Sequence, residues 1–268
     1  MEEWVILQRS VTVSEILVNP QRVLVTGSTG AIGQPVCEWL TQRGHYVRGL
    51  ARRPTPGLVD FVTGDLNDRA AVQAAVEGMD VVIHLGAYPN DADFLDVLLE
   101  PNVRGLFHVC DAARQLGVKR LVLASTLQTV SGHWGREETV RIEDGALPTN
   151  HYALTKVWAE AMGEMYARCY GLSVISARIG WLPRNNIEAQ KLAASPRGPD
   201  VFLSHEDAKR FFERCVESPN PQPSQSAVVF AISNPLRQHR LDLEPARRVL
   251  GYEPQDVWPQ GLPFAVDG

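Results

Sequence analysis

The chain has 268 residues, a formal net charge of −5 and arginines and lysines that are scattered rather than striped, which argues against nucleic-acid or anionic-membrane partners. Its four cysteines lie far apart, so they indicate neither a disulfide framework nor a metal site. No apolar run approaches the ~18 residues that cross a bilayer and the N-terminus is no secretory signal, so we expect a cytoplasmic protein with one large domain or a domain with a small appendage.

Residues 1–21 are interpreted as an N-terminal extension that packs on the surface. The β-branched apolar run that follows, residues 23–25, predicts a buried strand, and it leads through a glycine-rich turn into a helix over about residues 32–42. Glycines between a strand and a helix are typical of a dinucleotide site, although an ordinary glycine-rich turn is the alternative.

Each glycine of this turn has a definite use in a dinucleotide site. Gly27 allows the tight turn, Gly30 lets the backbone approach a pyrophosphate, and Gly33 lets the helix pack closely on the strand. The phosphates would lie on the helix N-terminus, where free N–H groups and the dipole attract anions. The candidate phosphate-binding residues are Gly27, Thr29, Gly30, Ala31, Ile32 and Gly33.

The second predicted strand, residues 46–51, ends at Arg52. An acidic residue about 20 positions past the glycines would bind the ribose hydroxyls of NAD, and none is present. Arg52 can instead pair bidentately with a 2′-phosphate, which predicts a preference for NADP. The alternative is that Arg52 is a solvated loop residue of an enzyme that is indifferent between the two cofactors or still uses NAD.

The third and fourth predicted strands, residues 59–62 and 81–87, are each followed by candidate cofactor contacts. Asp65 is placed either to meet the adenine end of a cofactor or to cap the helix over residues 70–77, and both roles are compatible. Small residues end the fourth strand, where they would let a nucleotide approach the backbone. His84 within that strand is interpreted as a structural histidine.

Residues 91–116 predict a long helix interrupted at Pro101, and residues 119–124 predict the fifth strand. Hydroxyl side chains follow this strand, at the edge where ligands bind in open α/β sheets. After a loop over residues 131–148, a helix opens with Tyr152 and Lys156, which are four positions apart and therefore share one face.

The strand–helix alternation predicts an α/β fold with a doubly wound parallel sheet. We assign residues 22–183 to a nucleotide-binding domain that includes a sixth strand over residues 172–177. Residues 184–268 are irregular and are interpreted as a small C-terminal lobe that covers the substrate and returns strands and helices to the main sheet. Within that lobe, Ser204 is predicted to cap a helix that ends at residue 216.

The glycine turn, the Asp65-Leu66 pair, the hydroxyls after the fifth strand and Tyr152-x-x-x-Lys156 together resemble the extended short-chain dehydrogenase/reductase family. The resemblance implies a Rossmann-type fold, NADP or NAD as cofactor, and a homodimer formed through the two long helices. It implies that Tyr152 is the general acid/base and that Lys156 lowers the pKa of Tyr152 and holds the nicotinamide ribose. The remaining implied cofactor contacts are Asp65, Leu66, Leu85, Gly86, Ala87, Asn102 and Pro183.

The family places a catalytic hydroxyl after the fifth strand, and this place falls on Thr126, with Ser125 one position before it. The sequence does not decide which of the two hydroxyls faces the substrate.

The segments His84-Leu85-Gly86, Asn185-Asn186 and Ser204-His205-Glu206-Asp207 also resemble the uronate dehydrogenases of this family, which hold the substrate carboxylate with an arginine soon after the Asn-Asn pair. Ile187 and Glu188 follow that pair here, and Glu188 would repel a carboxylate unless Arg184 or Lys191 compensates. Leu127, Gln128 and Trp181 also depart from the usual residues and predict a more apolar pocket.

These observations favour an oxidoreductase that transfers a hydride between the nicotinamide and a small sugar, polyol or hydroxy/keto compound. A nucleotide-sugar epimerase or dehydratase of the same family is the alternative, and the short C-terminal part speaks against it. A non-catalytic protein that senses NAD(P) would have no need of Tyr152 and Lys156.

Overall fold

Within residues 19–265, which the computed structural model describes, seven strands form a single parallel sheet. The strands are β1 (Arg22–Thr26), β2 (Tyr46–Ala51), β3 (Asp60–Thr63), β4 (Val81–His84), β5 (Arg120–Thr126), β6 (Ser173–Ile179) and β7 (Ser226–Ala231). Their order, β3-β2-β1-β4-β5-β6-β7, reverses direction between β1 and β4. Such a reversal opens a crevice at the carboxyl ends of the strands, where ligands bind in doubly wound sheets.

Helices cover both faces of the sheet. They are α1 (Gly33–Gln42), α2 (Arg69–Val76), α3 (Gly105–Gln115), α4 (His151–Tyr170), α5 (Asn186–Ala194), α6 (His205–Glu217) and α7 (Glu244–Leu250). Side chains alternate along each strand, so Leu24 of β1 packs with α2, α3 and α4, whereas Val23 and Val25 pack with α1, α6 and α7. The predicted Rossmann-type α/β fold is confirmed.

The helix predicted to break at Pro101 continues through it. A segment over Phe94–Arg104 forms wide turns, in which for example Leu98 N donates to Asp93 O at 3.1 Å, and it runs directly into α3. Proline lacks an N–H and its ring collides with the preceding turn of an α-helix. The wider i to i+5 turn admits the ring, and such turns are frequent at functional sites.

Two predicted strand ends differ from the structure in ways that affect the candidate site. β4 ends at His84 rather than at residue 87, and β5 continues to Thr126, which pairs with Ile179 of β6. Ser125 and Thr126 therefore lie within a strand and point to opposite faces of the sheet.

The C-terminal part joins the same sheet. β7 pairs with β6 at the edge, and α6 packs against α1 with Phe211 and Phe212 in the core. Ser204 caps α6 by accepting from Asp207 N at 2.8 Å, as predicted, whereas α5 has no counterpart in the predicted elements. The division at residue 183 stays a prediction.

Most of the predicted N-terminal extension, residues 1–18, lies outside the described residues. Among the helices described, none is long and apolar enough to cross a membrane.

Candidate active site

The turn between β1 and α1 is closed so tightly that only glycines fit. Gly27 has φ of +68°, and a Cβ built there would lie 2.8 Å from Gly86 N in the loop after β4. A Cβ on Gly33 would lie 2.3 Å from Gly27 O, so α1 approaches the turn as closely as the sequence predicted. Gly30 is exposed at the tip of the turn.

The N-terminus of α1 is open to an anion. Its first residue is preceded by Ile32, which makes no side-chain cap, and the first turn carries no acidic residue. By contrast, α2, α4, α5 and α6 each receive a side-chain cap. Helix N-terminal N–H groups need partners, and phosphate oxygens supply them. The glycine cradle and the uncapped helix together fit the pyrophosphate of a dinucleotide.

Charged residues at the ends of β2 and β3 lie where the adenosine half would extend. Arg52 is exposed directly after β2. It stands where an acidic residue would bind the ribose hydroxyls of NAD. Asp65 is exposed and accepts from Asn67 N at 2.9 Å, while Asp68 rather than Asp65 caps α2. The cap alternative for Asp65 is therefore wrong, and its carboxylate remains on the rim of the crevice.

Leu66 fills the space between two glycines at this rim. A Cβ on Gly86 would meet Leu66 Cδ1 at 2.9 Å, and one on Gly105 would meet Leu66 Cβ at 2.7 Å. The half-buried residues Leu85 and Ala87 flank Gly86 on the loop after β4. This loop and the glycine turn after β1 line the two sides of the crevice at the sheet reversal.

His84 at the end of β4 is a structural residue, as expected. Its Nδ1 lies 2.8 Å from the hydroxyl of Thr26, which also accepts from Gly86 N at 3.1 Å. Burial and then the charge of Lys156 lower the pKa of His84 to about 3. The imidazole is thus neutral at physiological pH and ties the ends of β1 and β4 together.

Asn102 braces the loop after β4 against α4. Its Oδ1 accepts from Tyr88 N at 2.7 Å, and its Nδ2 donates to Tyr88 O at 3.1 Å and to Thr155 Oγ1 at 3.2 Å. Thr155 in turn donates to the carbonyl of Tyr152 at 2.7 Å. Both amide hydrogens of Asn102 are used within the protein, so what remains for it in cofactor binding is to fix this loop.

Tyr152 and Lys156 lie buried on the first turns of α4, which Asn150 caps by accepting from Ala153 N at 2.7 Å. The Lys156 ammonium is 5.7 Å from the centre of the Tyr152 ring. Burial lowers the pKa of Lys156 to about 8, because a buried ammonium loses hydration.

The phenol of Tyr152 faces the hydroxyl of Thr126. Burial raises the pKa of Tyr152 to about 12, against a lowering by the hydrogen bond with Thr126 and by the guanidinium of Arg184. The resemblance implied Lys156 as the group that lowers this pKa; in the structure the lowering groups are Thr126 and Arg184. A buried phenol needs such partners to ionise near neutral pH.

Ser125 points away from the phenol into the core. It donates to Glu160 Oε1 at 2.5 Å, and Glu160 also receives Arg178 Nε at 2.9 Å and Arg178 Nη2 at 2.8 Å. The sequence analysis missed this buried network. Its signal was the Lys156-x-x-x-Glu160 spacing, which continues the active face of α4 by one turn.

The segment after β6 closes the far side of the site. The carbonyl of Pro183 accepts from His205 Nε2 at 2.9 Å, which anchors this segment to α6. Arg184 follows directly and forms an ion pair with Glu188. Trp181 and Leu127 pack into one apolar cluster beside the site.

Comparison with known proteins agrees with this geometry. The model of the NAD dependent epimerase/dehydratase family matches residues 23–182. The chain is similar to the L-arabinose 1-dehydrogenase (NAD(P)(+)) of Haloferax volcanii, with 34% identity over 88% of this chain and 96% of that protein. It is also similar to the uronate dehydrogenase of Pseudomonas putida, with 32% identity over 74% of this chain and 72% of that protein.

A solved structure shares the fold over most of the chain. The crystal structure of a glucuronic acid dehydrogenase from Chromohalobacter salexigens superposes with a TM-score of 0.77 and 27% identity, covering 89% of this chain and 86% of that one. The family resemblance drawn from the motifs is therefore confirmed. The chain belongs to the NAD dependent epimerase/dehydratase family and is an NAD(P)-dependent oxidoreductase of the short-chain dehydrogenase type.

Proposed function

We propose that this protein oxidises a small sugar at a ring carbon that carries a hydroxyl, with an oxidised nicotinamide as the hydride acceptor. The observation that carries the proposal is that the phenol of Tyr152, the hydroxyl of Thr126 and the ammonium of Lys156 occur together at the carboxyl edge of the sheet. The sugar class is supported by relatives named for arabinose and uronate. Reduction of NAD or NADP by a panel of sugars tests it.

In this proposal, the hydroxyl of Thr126 holds the reacting oxygen of the sugar by a hydrogen bond. The phenolate of Tyr152 accepts the proton of that oxygen. The guanidinium of Arg184 and the positive charge of a bound oxidised nicotinamide would offset the burial that raises the pKa of this phenol. A bound oxidised nicotinamide would accept the hydride from the sugar carbon. Ser125, whose hydroxyl is committed to Glu160, contributes by positioning the end of β5.

The cofactor contacts follow the crevice at the sheet reversal. The uncapped start of α1 would receive the pyrophosphate, Asp65 and Leu66 would meet the adenine end, and Lys156 would hold the nicotinamide ribose. The backbone near Leu85, Gly86, Ala87 and Pro183 would line the rest, with Asn102 fixing the loop. Turn residues Gly27, Thr29, Gly30, Ala31, Ile32 and Gly33 complete the set.

We propose that Arg52 gives a preference for NADP. Arg52→Asp is expected to lower kcat/KM for NADP relative to NAD by about 10- to 100-fold, since a charge-assisted pair with a phosphate contributes about 1.5–3 kcal/mol. Arg53→Asp makes the same change of charge one residue away. It controls for the effect of that charge on the electrostatic potential around the site. An unchanged ratio for Arg52→Asp, or a larger shift for Arg53→Asp, would remove Arg52 from the phosphate site.

We propose a homodimer formed through α3 and α4. Both helices expose large apolar side chains, including Phe107 on α3 and Leu154 and Trp158 on α4. Exposed apolar groups of this kind mark protein interfaces when they are contiguous. Sedimentation of the protein at twice the mass of one chain is expected, and a monomeric mass would contradict the assembly.

A further inference from the structure

The segment between β6 and α5 holds Arg184 in a fixed place. Its backbone is anchored on one side by Pro183, whose carbonyl accepts from His205. On the other side, Asn185 caps α5 by accepting from Glu188 N at 3.0 Å. Leu182, which belongs to the same segment, is buried against Leu203 and Ala208 and holds the segment further in place.

Glu188 occupies the Nε–Nη2 edge of the Arg184 guanidinium. Its carboxylate accepts from Arg184 Nε at 2.8 Å and 3.0 Å, from Arg184 N at 2.9 Å, and also from Arg184 Nη2. Among the described residues, Arg184 Nη1 has no hydrogen-bond partner, and the Arg184 side chain as a whole is 42% exposed. Both N–H donors of Nη1 therefore remain available to a ligand, beside a positive charge that Glu188 already neutralises.

Arg184 lies within electrostatic range of the reacting phenol. Arg184 follows β6, which pairs with the end of β5 through Ile179 and Thr126. The Arg184 guanidinium also acts electrostatically on the phenol of Tyr152, and Tyr152 acts on Arg184 in return. A substrate held between Thr126 and Tyr152 would extend towards Arg184.

On the basis of the proposed function, we infer that Glu188 is a specificity determinant that makes the site select neutral sugars over sugar acids. A neutral sugar hydroxyl can accept from Arg184 Nη1 without disturbing the ion pair. A sugar carboxylate at Nη1 would meet a guanidinium whose positive charge Glu188 already neutralises, and it would be repelled by the negative charge of Glu188. Lys191, the other nearby cation, also acts on the Glu188 carboxylate, more weakly than Arg184.

The test compares wild-type protein with Glu188→Gln, which keeps the length and hydrogen-bonding groups of the side chain and removes its charge. The ratio of kcat/KM for glucuronate to that for L-arabinose is expected to rise by about 10-fold or more in Glu188→Gln, through a lower KM for glucuronate. Glu206→Gln is the matched control, because Glu206 is also a first-turn glutamate paired with a base, Lys209.

A binding measurement separates this inference from the proposed function. Titration calorimetry of glucuronate into the complex with reduced cofactor needs no turnover, and Glu188→Gln is expected to bind at least about 10-fold more tightly than wild type. Unchanged affinity in Glu188→Gln, or an equal effect of Glu206→Gln, would overturn the inference. Tighter binding without turnover of any sugar would leave the inference standing and contradict the proposed function.

Discussion

Tyr152→Phe is expected to lower kcat by about 10²- to 10⁴-fold, which corresponds to about 3–5 kcal/mol of the activation barrier. The change removes the phenol that exchanges the proton and keeps the ring in the same buried space. The backbone contacts of Tyr152 with Asp91 and Thr155 do not involve the hydroxyl. The fold and the affinity for the cofactor are therefore expected to stay at their wild-type values.

Steady-state kinetics and calorimetric titration with the cofactor measure both parts of this expectation. Tyr166→Phe is the control, because Tyr166 is also buried on α4. This variant also removes a phenol hydroxyl, but one that does not lie at Thr126 and Lys156. Activity of Tyr152→Phe close to that of Tyr166→Phe would show that another group carries the proton.

Glu160→Ala is expected to lower the free energy of unfolding by about 3–5 kcal/mol, because it leaves the buried charge of Arg178 without a partner. Arg178 and Glu160 are 4% and 9% exposed, and within residues 19–265 Arg178 Nη1 already has no hydrogen-bond partner. Ser125 would lose its acceptor in the same variant. A loss of this size is a large part of the about 5–15 kcal/mol that stabilises a typical domain.

Urea unfolding gives the free energies for this variant and for two controls. Glu164→Ala removes an exposed glutamate one turn further along α4 and is expected to change stability by no more than about 0.5 kcal/mol. The double variant with Glu160→Ala and Arg178→Met removes both charges. Its loss of unfolding free energy is expected to be smaller than the sum of the losses in the two single variants. A Glu160→Ala protein as stable as Glu164→Ala would contradict the account of this network.

Local patterns in the sequence predicted the parts of the site that depend on local geometry. Gly27, Gly30 and Gly33 specify a turn whose close approaches exclude side chains, and the structure contains those approaches at Gly27 and Gly33. The spacing of Tyr152 and Lys156 places both on one face of a helix wherever that helix lies.

Long-range contacts could not be predicted in the same way. Whether Ser125 or Thr126 meets the phenol depends on where β5 ends, and a strand end shifted by one residue exchanges the two faces. The roles of Glu160 and Arg178 require knowing that α4 packs over β6. The continuation of the helix through Pro101 relies on wide turns that a proline in the sequence does not announce.

Transfer of deuterium from a sugar to the nicotinamide tests most directly whether this protein oxidises a sugar. Neutral aldoses that carry deuterium at C1 are incubated with the protein and oxidised NAD or NADP, and the reduced cofactor and the sugar are analysed by mass spectrometry. We predict that the reduced cofactor accumulates with one deuterium per molecule as the sugar is oxidised. Conversion of the sugar to an isomer without net reduction of the cofactor, or no transfer of deuterium from any aldose or sugar acid to the nicotinamide, would contradict a sugar dehydrogenase.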